Sequence, residues 1–596
     1  MKIKRTVFSA LIILCIPTLL FAAHGISIDD SLKYPPDFIQ FDYTSPEAVK
    51  GGRLVLHDIG SFDKMNPFTR KGEAPLGLEM LVFEPLAVTS LDEPFAAYGL
   101  IAEDVELAAD KMSVTYTINK NAQFSDGSPV TVADVAYTLD MLKSDKVHPA
   151  YPYYYKDIAG TEKVGERRIK FNFTRKNREL HLIASQMRVL SKKFYEKTGF
   201  GTIQKNGGLA HPVASGPYVV SYVNPGKTIT YKRNKQYWAQ DSPTRKGMFN
   251  FDEIVIKYYK DQIVALEAFK AGEFDFISIN IAKQWARDMK GPKFSSGKII
   301  KKNLVHFNNA GMQGFLMNTR RDLFKDPKVR RALGLALDFE WINKSLFHDQ
   351  YTRTHSFFSN SYLAATGLPE GLELEYLNKF RGRLPEEVFV QPLSAPVTIG
   401  KHGIRTHLKM AKKLLRESGW SVREGVLINQ QGKKFEFDIL LVSTSFERVM
   451  ASYVRNLKKL GIKVRYRTID PTLYTERLKA FDFDMIVTTY GQSLSPGNEQ
   501  RNFWHSTAAA INGSKNYAGI QSVVVDSLVD KIIYAENRDQ LVAACKALDR
   551  VLWYGYYLIP NWYLDTHRVS YYNKFHFPDQ LPLYYSPFQL LMTLWE

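Results

Sequence analysis

The sequence predicts an α/β protein, and three stretches carry that prediction. Residues 435–466 read as a strand (435–442), a helix (448–459) and a second strand (461–466), the order of a helix layer laid on a sheet. Val114, Tyr116 and Ile118 alternate with Thr115, Thr117 and Asn119, the period of a half-buried strand. Phe483-Asp484-Met485-Ile486-Val487 is a short apolar run of the kind that fills the middle of a sheet. With 596 residues the chain exceeds what one core supports, so two or three domains are expected.

The remaining elements follow in order. Residues 41–52 form a loop in which Pro46 and the paired Gly51-Gly52 lead into a strand at 53–56, and 62–68 form a second loop. Asp126-Gly127 is turn chemistry, because Gly accepts positive φ without a steric cost. Thr131 then offers its hydroxyl to the free amides of a helix start, with Asp134 three residues on as a capping-box partner. Val132, Val135, Leu139 and Leu142 make that helix's apolar stripe. Ser215-Gly216-Pro217-Tyr218 marks a turn, Ile229-Thr230-Tyr231 a strand, and 265–271 a helix stopped by Gly272. Asp326 caps a helix whose first position suits Pro327 and whose apolar face is Val329, Leu333, Ala336 and Leu337. Its Arg330 and Arg331 read as a solvated face. Leu408, Ala411 and Leu415 repeat the helical spacing ahead of Gly419, with Lys409, Lys412, Lys413 and Arg416 on the wet side. The run at 483–487 delivers Thr488, Thr489, Tyr490 and Gln492 from its carboxyl end, where α/β sheets place ligand contacts. Two helices (through Asp526 and Leu528, then 532–549) and a crossing strand at 558–563 close the chain. No internal repeat and no low-complexity tract interrupts it.

Composition narrows the class. The 45% apolar and 23% charged content is that of a soluble globular protein. The N-terminus reads as a cleaved secretory signal over 1–23: Lys2, Lys4 and Arg5, then an apolar run over 7–21, then Ala22-Ala23. That run is short for a bilayer span. Ile12-Ile13-Leu14 before Cys15 lacks the small residue of a lipoprotein signal, so the exported product is expected to be free in a Gram-negative periplasm. Cys15 and Cys545 are the two cysteines, and loss of the signal leaves Cys545 with no partner for a disulfide. The formal charge of +18 falls by three with the signal, leaving an excess that steers anionic ligands or holds the protein near an anionic surface. Nucleic acid is not expected as a partner, since no nucleic-acid module is recognisable.

The templates of catalysis are absent. There is no Gly-x-Ser-x-Gly elbow, no His-Glu-x-x-His helix, no Cys-x-x-Cys pair and no Walker loop. The 13 His are scattered without i, i+4 pairs, so no metal site is expected. Asp482 and Asp484, two apart on a strand, read as edge polarity rather than an acid–base pair. No enzyme and no cofactor is therefore expected; a binding module fits better.

Three separated stretches resemble one family in that family's order. They are Phe124-Ser125-Asp126-Gly127-Ser128-Pro129-Val130-Thr131 with Asp134; Gly216-Pro217-Tyr218 followed by Arg233-Asn234 and Tyr237-Trp238; and Leu316-Met317-Asn318 followed by the 326–337 helix. The resemblance is to the family 5 bacterial extracellular solute-binding proteins, the peptide and nickel receptors of ABC importers. Phe41-x-Tyr43, Lys50-Gly51-Gly52 and Lys246-Gly247-Met248-Phe249-Asn250 are similar to the YejA-type subgroup, which takes oligopeptides and the peptide antibiotic microcin C.

The resemblance implies a two-lobed periplasmic binding protein (type II, a hinge of two strands) with an extra domain inserted in the N-terminal lobe. Projected here, domain I comprises 24–75, 212–310 and 560–596, domain II 76–211 and domain III 311–559. A small peptide would be enclosed between domains I and III by hinge closure. The closed monomer would then dock on an inner-membrane ABC permease with cytoplasmic ATPase subunits. An opine, glycan fragment, haem or metal complex is the alternative ligand within the family; an envelope hydrolase or chaperone is the alternative outside it. Family peptide receptors hold the peptide amine on an Asp after the last long strand. The corresponding Tyr490-Gly491-Gln492-Ser493-Leu494-Ser495-Pro496 carries no acid, which makes a blocked or N-terminally modified peptide plausible. The expected ligand contacts are Tyr490 and Gln492, then Trp504, Asn516 and Tyr517, and Arg353, His355, Ser356 and Phe357 from a segment that matches the subgroup. Among these Arg353 could pair a ligand carboxylate bidentately.

Overall fold

The computed structural model describes residues 23–29, 31–93, 95–148, 150–200, 209–400 and 403–596. The expected signal, apart from Ala23, lies outside the described residues. Among the described residues no helix is long and apolar enough to cross a membrane.

The strands sort into two groups. In the first, Arg53–Ile59 pairs in parallel with Glu253–Tyr259, which continues antiparallel through Thr228–Arg233 to Tyr218–Asn224. Beside it stand Phe276–Ser278, Thr566–Tyr572 and Ile299–Val305, all antiparallel. A separate antiparallel sheet of Ala102–Leu107, Ser113–Ile118, Arg168–Phe173 and Ile158–Lys163 carries the first predicted strand. The second group is one five-stranded sheet in the order Lys463–Thr468, Glu436–Leu441, Met485–Tyr490, Met312–Met317 and Leu558–Pro560. Its first three strands are parallel, as the β-α-β alternation of 435–466 predicts, and the last two are antiparallel. The chain passes between the groups at 306–311 and again at 561–565, the two strand connections of the hinge. This is the two-lobed α/β architecture expected.

Local chemistry sets the helix ends. Thr131 Oγ1 accepts from the Asp134 amide at 3.4 Å, and Asp134 Oδ2 accepts from the Thr131 amide at 2.9 Å, closing the capping box. Asp134 Oδ1 also takes the Lys192 amide at 2.9 Å, so this corner ties the helix to the segment beyond it. Thr131→Ala is expected to cost about 1 kcal/mol through the lost cap, read as a lower thermal midpoint with ligand affinity unchanged. Asp326 caps the helix Pro327–Gly334 through the Lys328 amide, with Pro327 in its first turn. Gly272 ends Gln262–Ala271 at φ 99°, a conformation that strains any residue with a Cβ.

Burial corrects one reading. Arg330 was expected on a wet face, yet it is 5% exposed, and its guanidinium donates to the carbonyls of Phe324, Lys325 and Gly555. Three carbonyls at loop ends replace water, and that makes burial of the charge tolerable. Arg331 lies 3.7 Å from Glu387 and stays partly exposed.

Candidate functional site

The lobes meet along a seam on both flanks of the hinge. On one flank Tyr351 Oη donates to Asn280 O at 2.6 Å, and Gln350 Nε2 reaches Ala282 O at 3.3 Å. A cavity of about 550 Å³ opens there between Asn280–Lys283 of the first lobe and Thr444–Phe446 of the second, floored by Trp562. On the other flank the loop after Met485–Tyr490 meets the inserted domain. Arg178, 6% exposed, donates to Pro496 O at 2.6 Å and Ile532 O at 2.7 Å, and pairs with Glu179 at 3.0 Å. Glu179 in turn accepts the Ser495 hydroxyl. Burial raises the Glu179 carboxyl above its usual range, against the pull of Arg178 and the Ser495 hydroxyl. Arg175 adds bonds to Asn498 at 3.2 Å and Tyr534 at 3.3 Å. The Arg538 guanidinium lies between two aromatic faces, Phe95 at 3.9 Å and Tyr362 at 4.6 Å, and donates to Leu494 O at 3.0 Å. The bonds of Arg178 to Pro496 and Ile532, of Glu179 to Ser495 and of Arg175 to Asn498 and Tyr534, with the seating of Arg538 on Phe95, join the two lobes on this flank.

In the loop 491–498 the carbonyls of Leu494 and Pro496 are taken by Arg538 and Arg178, and the Gly497 amide by Glu499. Gly491 is exposed, and a Cβ built there would meet nothing within 4 Å. Ser493 is likewise exposed, while Asn309 of the hinge holds its carbonyl at 3.2 Å. In the first lobe a second depression, about 760 Å³, is walled by residues of 67–80, Tyr151 and Phe588. The short helix Ala150–Tyr154 links this depression to the seam. Tyr151 lines the depression, while Tyr153 and Tyr154 sit in the field of Glu499 on the second lobe.

The structure gathers most of the sequence-predicted residues, but in the core of the second lobe. Tyr490, Trp504, Phe357 and Tyr517 form one aromatic cluster: Tyr490 to Trp504 is 4.2 Å between centroids, Phe357 to Trp504 5.3 Å and Tyr490 to Tyr517 6.3 Å. Tyr490 and Trp504 are each 1% exposed, and the Tyr490 hydroxyl is spent on Lys515 O at 3.0 Å. Gln492 is buried against Gln500, which accepts from the Trp504 indole N–H at 2.9 Å. Asn516 is wholly buried, with its amide bonded to His505 O, Ile520 O and the Ile520 N–H. Ser356 donates to Asp549 at 2.6 Å. His355 stays half-buried, its Nδ1 3.4 Å from Arg353 O. Arg353 is strand-paired with Trp562 of the seam, and it lines a cavity inside the second lobe. For Tyr490, Trp504, Asn516 and Ser356 the polar atoms are committed to protein partners, so these side chains shape the loop rather than reach into a cleft.

Sequence reasoning passed over Arg178, Glu179 and Arg538. Most of their partners are remote in sequence: Pro496 and Ile532 for Arg178, Ser495 for Glu179, Leu494 and Phe95 for Arg538. The double acid–base pair Arg178-Glu179 was the one signal available.

A family model described as "Bacterial extracellular solute-binding proteins, family 5 Middle" matches residues 96–511. The chain belongs to that family. The solute-binding protein is 39% identical over 567 residues to an Agrobacterium fabrum protein named "Probable peptide-binding protein YejA", covering 94% of this chain and 92% of that one. It is 35% identical over 577 residues to the Agrobacterium fabrum "Peptidoglycan-binding protein YepA", covering 94% and 93%. Its fold is similar to that of the oligopeptide-binding protein AppA from Bacillus subtilis, solved with a nonapeptide, at a TM-score of 0.67 and 19% identity, covering 92% of this chain and 99% of that one. Among the described residues of the solute-binding protein no group of His, Cys, Asp and Glu could hold a metal ion.

Proposed function

We propose that this solute-binding protein is the periplasmic receptor of an ABC importer, capturing oligopeptides or modified peptides between its lobes and handing them to an inner-membrane permease driven by cytoplasmic ATPases. The observation that carries the reading is the seam between two lobes joined by two connections, with the exposed Gly491 beside it at the carboxyl end of the strand Met485–Tyr490. An exposed glycine at a strand end lets an extended peptide, which brings its own amides and carbonyls, approach the backbone. The relative named as peptide-binding supports the ligand class. The leader over 1–23 places the protein in the periplasm in this reading, as a monomer that binds without chemistry and without a cofactor. The division into domain I (24–75, 212–310, 560–596), domain II (76–211) and domain III (311–559) belongs to the same proposal, as does uptake of a microcin C-like peptide antibiotic.

No carboxylate stands within 490–496 to hold a free amine, and the three that approach the loop are engaged, Asp157 by Arg175 at 2.6 Å. Glu179 accepts from Ser495, and Glu499 accepts the Gly497 amide at 2.9 Å. A peptide without a free amine at this end fits that chemistry. The relative named as peptidoglycan-binding favours a second reading, a peptide that carries sugar.

Native mass spectrometry of the protein purified from its own envelope is the test. The expected result is a retained peptide-containing ligand whose release lowers the thermal midpoint and whose return restores it. A retained ligand without a peptide bond, or stabilisation by sugars or metal chelates with none by peptides, overturns the substrate class.

A further inference from the structure

The second lobe ends, away from the seam, in a pole of one sign. Residues 405–467 carry 15 Lys and Arg against five Asp and Glu, more than half of the chain's formal excess of +18. The fold gathers much of that charge at one end. The parallel strands Glu436–Leu441 and Lys463–Thr468 run their carboxyl ends toward the seam, where Thr444–Phe446 wall the interlobe cavity, so their amino ends lie at the opposite pole. The helices Ile404–Glu417 and Glu447–Lys458 finish there, and the hairpin of Ser421–Arg423 and Val426–Ile428 joins them. The Leu427 amide donates to Gly461 O at 2.8 Å, and the Lys463 amide to Phe435 O at 3.1 Å. Both helices turn their apolar faces to a common core, through Leu408, Ala411 and Leu415 and through Val449, Tyr453 and Leu457.

The exposed sides are basic. Lys412, Lys413 and Arg416 stand at the end of the first helix, Lys458 and Lys459 at the end of the second, all exposed. Arg423 of the hairpin and Lys433 and Lys434 of the turn before Glu436–Leu441 are exposed beside them. The acids of this pole go to other cations: Glu417 pairs with Lys328 at 2.9 Å, Glu436 with Lys463 at 3.3 Å and Asp438 with Arg465 at 2.7 Å. Farther along, Arg321 takes Asp482 and Asp484, each at 3.2 Å. Among the described residues no carboxylate lies within ion-pairing distance of Lys412, Lys413, Arg416, Lys433, Lys434 or Lys458. A helix C-terminus favours a cation in its last turn, which accounts for Arg416 and Lys458. It does not account for the three on the hairpin and the turn. Crowded like charges repel, and an anionic counter-surface relieves them. Val422, next to Arg423, is 46% exposed. Cations around an exposed apolar side chain match a bilayer interface, with anionic headgroups outside and hydrocarbon beneath; nucleic acid offers the charge without the apolar layer.

We propose that this basic pole of the second lobe docks the protein on the anionic phospholipid surface of a bilayer, with the hairpin at Ser421–Arg423 against the headgroups and the interlobe seam facing away.

The mature protein is sedimented with vesicles of phosphatidylcholine alone and of phosphatidylcholine and phosphatidylglycerol in equal parts. Binding to the anionic vesicles is expected at low salt and should be lost at about 1 M salt, where screening acts within about 3 Å. Lys412→Gln, Lys413→Gln, Lys458→Gln and Lys459→Gln together should weaken it by about 100-fold or more at an unchanged thermal midpoint, since each cation at an anionic surface counts for roughly fivefold. The control removes as many charges from the first lobe, with Lys227→Gln, Lys232→Gln, Lys235→Gln and Lys260→Gln at exposed positions, and should bind as the native protein does. Val422→Cys gives an independent readout. Cys545 is wholly buried, so a polarity-sensitive maleimide dye takes the new thiol, and its emission should move to the blue on anionic vesicles alone. Sedimentation with neither vesicle at low salt, equal sedimentation with both, equal loss in the two quadruple variants, or unmoved dye emission on sedimenting vesicles overturns the proposal.

Discussion

Asp549→Ala is expected to destabilise the second lobe by about 3–5 kcal/mol, the cost of leaving several buried donors unpaired. Asp549 lies on the helix Arg538–Tyr554 and is wholly buried. Its carboxylate accepts from Ser356 Oγ at 2.6 Å, the Phe357 amide at 2.7 Å and the Ala365 amide at 3.0 Å. Removing it strands all three donors and releases the 353–365 segment from the core. Chemical denaturation would show this as a lower midpoint; a change below 1 kcal/mol would mean water reaches these donors. Burial, opposed by the Ser356 hydroxyl, raises Asp549 from its ordinary value to about 6. The raised value means that the folded state prefers the protonated acid. Its stabilising contribution is therefore full below about pH 4 and is lost as pH rises through about 6. The stability advantage of the native protein over Asp549→Asn should shrink across that window and stay level above it.

The second large effect is expected at the seam. Arg178→Ala removes the donations to Pro496 O and Ile532 O and the pair with Glu179, all of which exist only when the lobes are closed or belong to the surface that closes. Losing charge-assisted bonds of about 1.5–3 kcal/mol from the closed state lowers ligand affinity roughly 10- to 100-fold. The population shifts toward the open form without touching either lobe's core. X-ray scattering should show a larger radius of gyration in the presence of ligand, and calorimetry a weaker affinity at an unchanged unfolding midpoint. Unaltered affinity with unaltered scattering would show that Arg178 does not hold the closed state.

Both predictions rest on residues whose importance differs in legibility. Ser356 and Phe357 stood out because their segment matches a subgroup, and they do matter, though as anchors on Asp549 rather than as ligand contacts. Tyr490 stood out because it lies at the carboxyl end of a buried strand, where α/β sheets place ligand contacts, and Trp504 because it follows in the next segment. Their neighbours decide otherwise: the helices Val523–Ile533 and Arg538–Tyr554 cover that face of the sheet and leave them in the dry interior. Arg330 was misjudged for the same reason. A guanidinium on a helix reads as solvated until three carbonyls from other turns arrive to replace the water.

The sequence by itself determined the α/β class, the family, the helix starts at Thr131 and Asp326 and the stop at Gly272. Each of those local features depends on groups within four residues, so the chain carries the cause beside the effect. The tertiary structure alone decided which side chains face the seam and where Asp549 finds its donors. Those outcomes turn on burial and on partners such as Pro496 for Arg178, 318 residues away, and desolvation exists only once the lobes have packed.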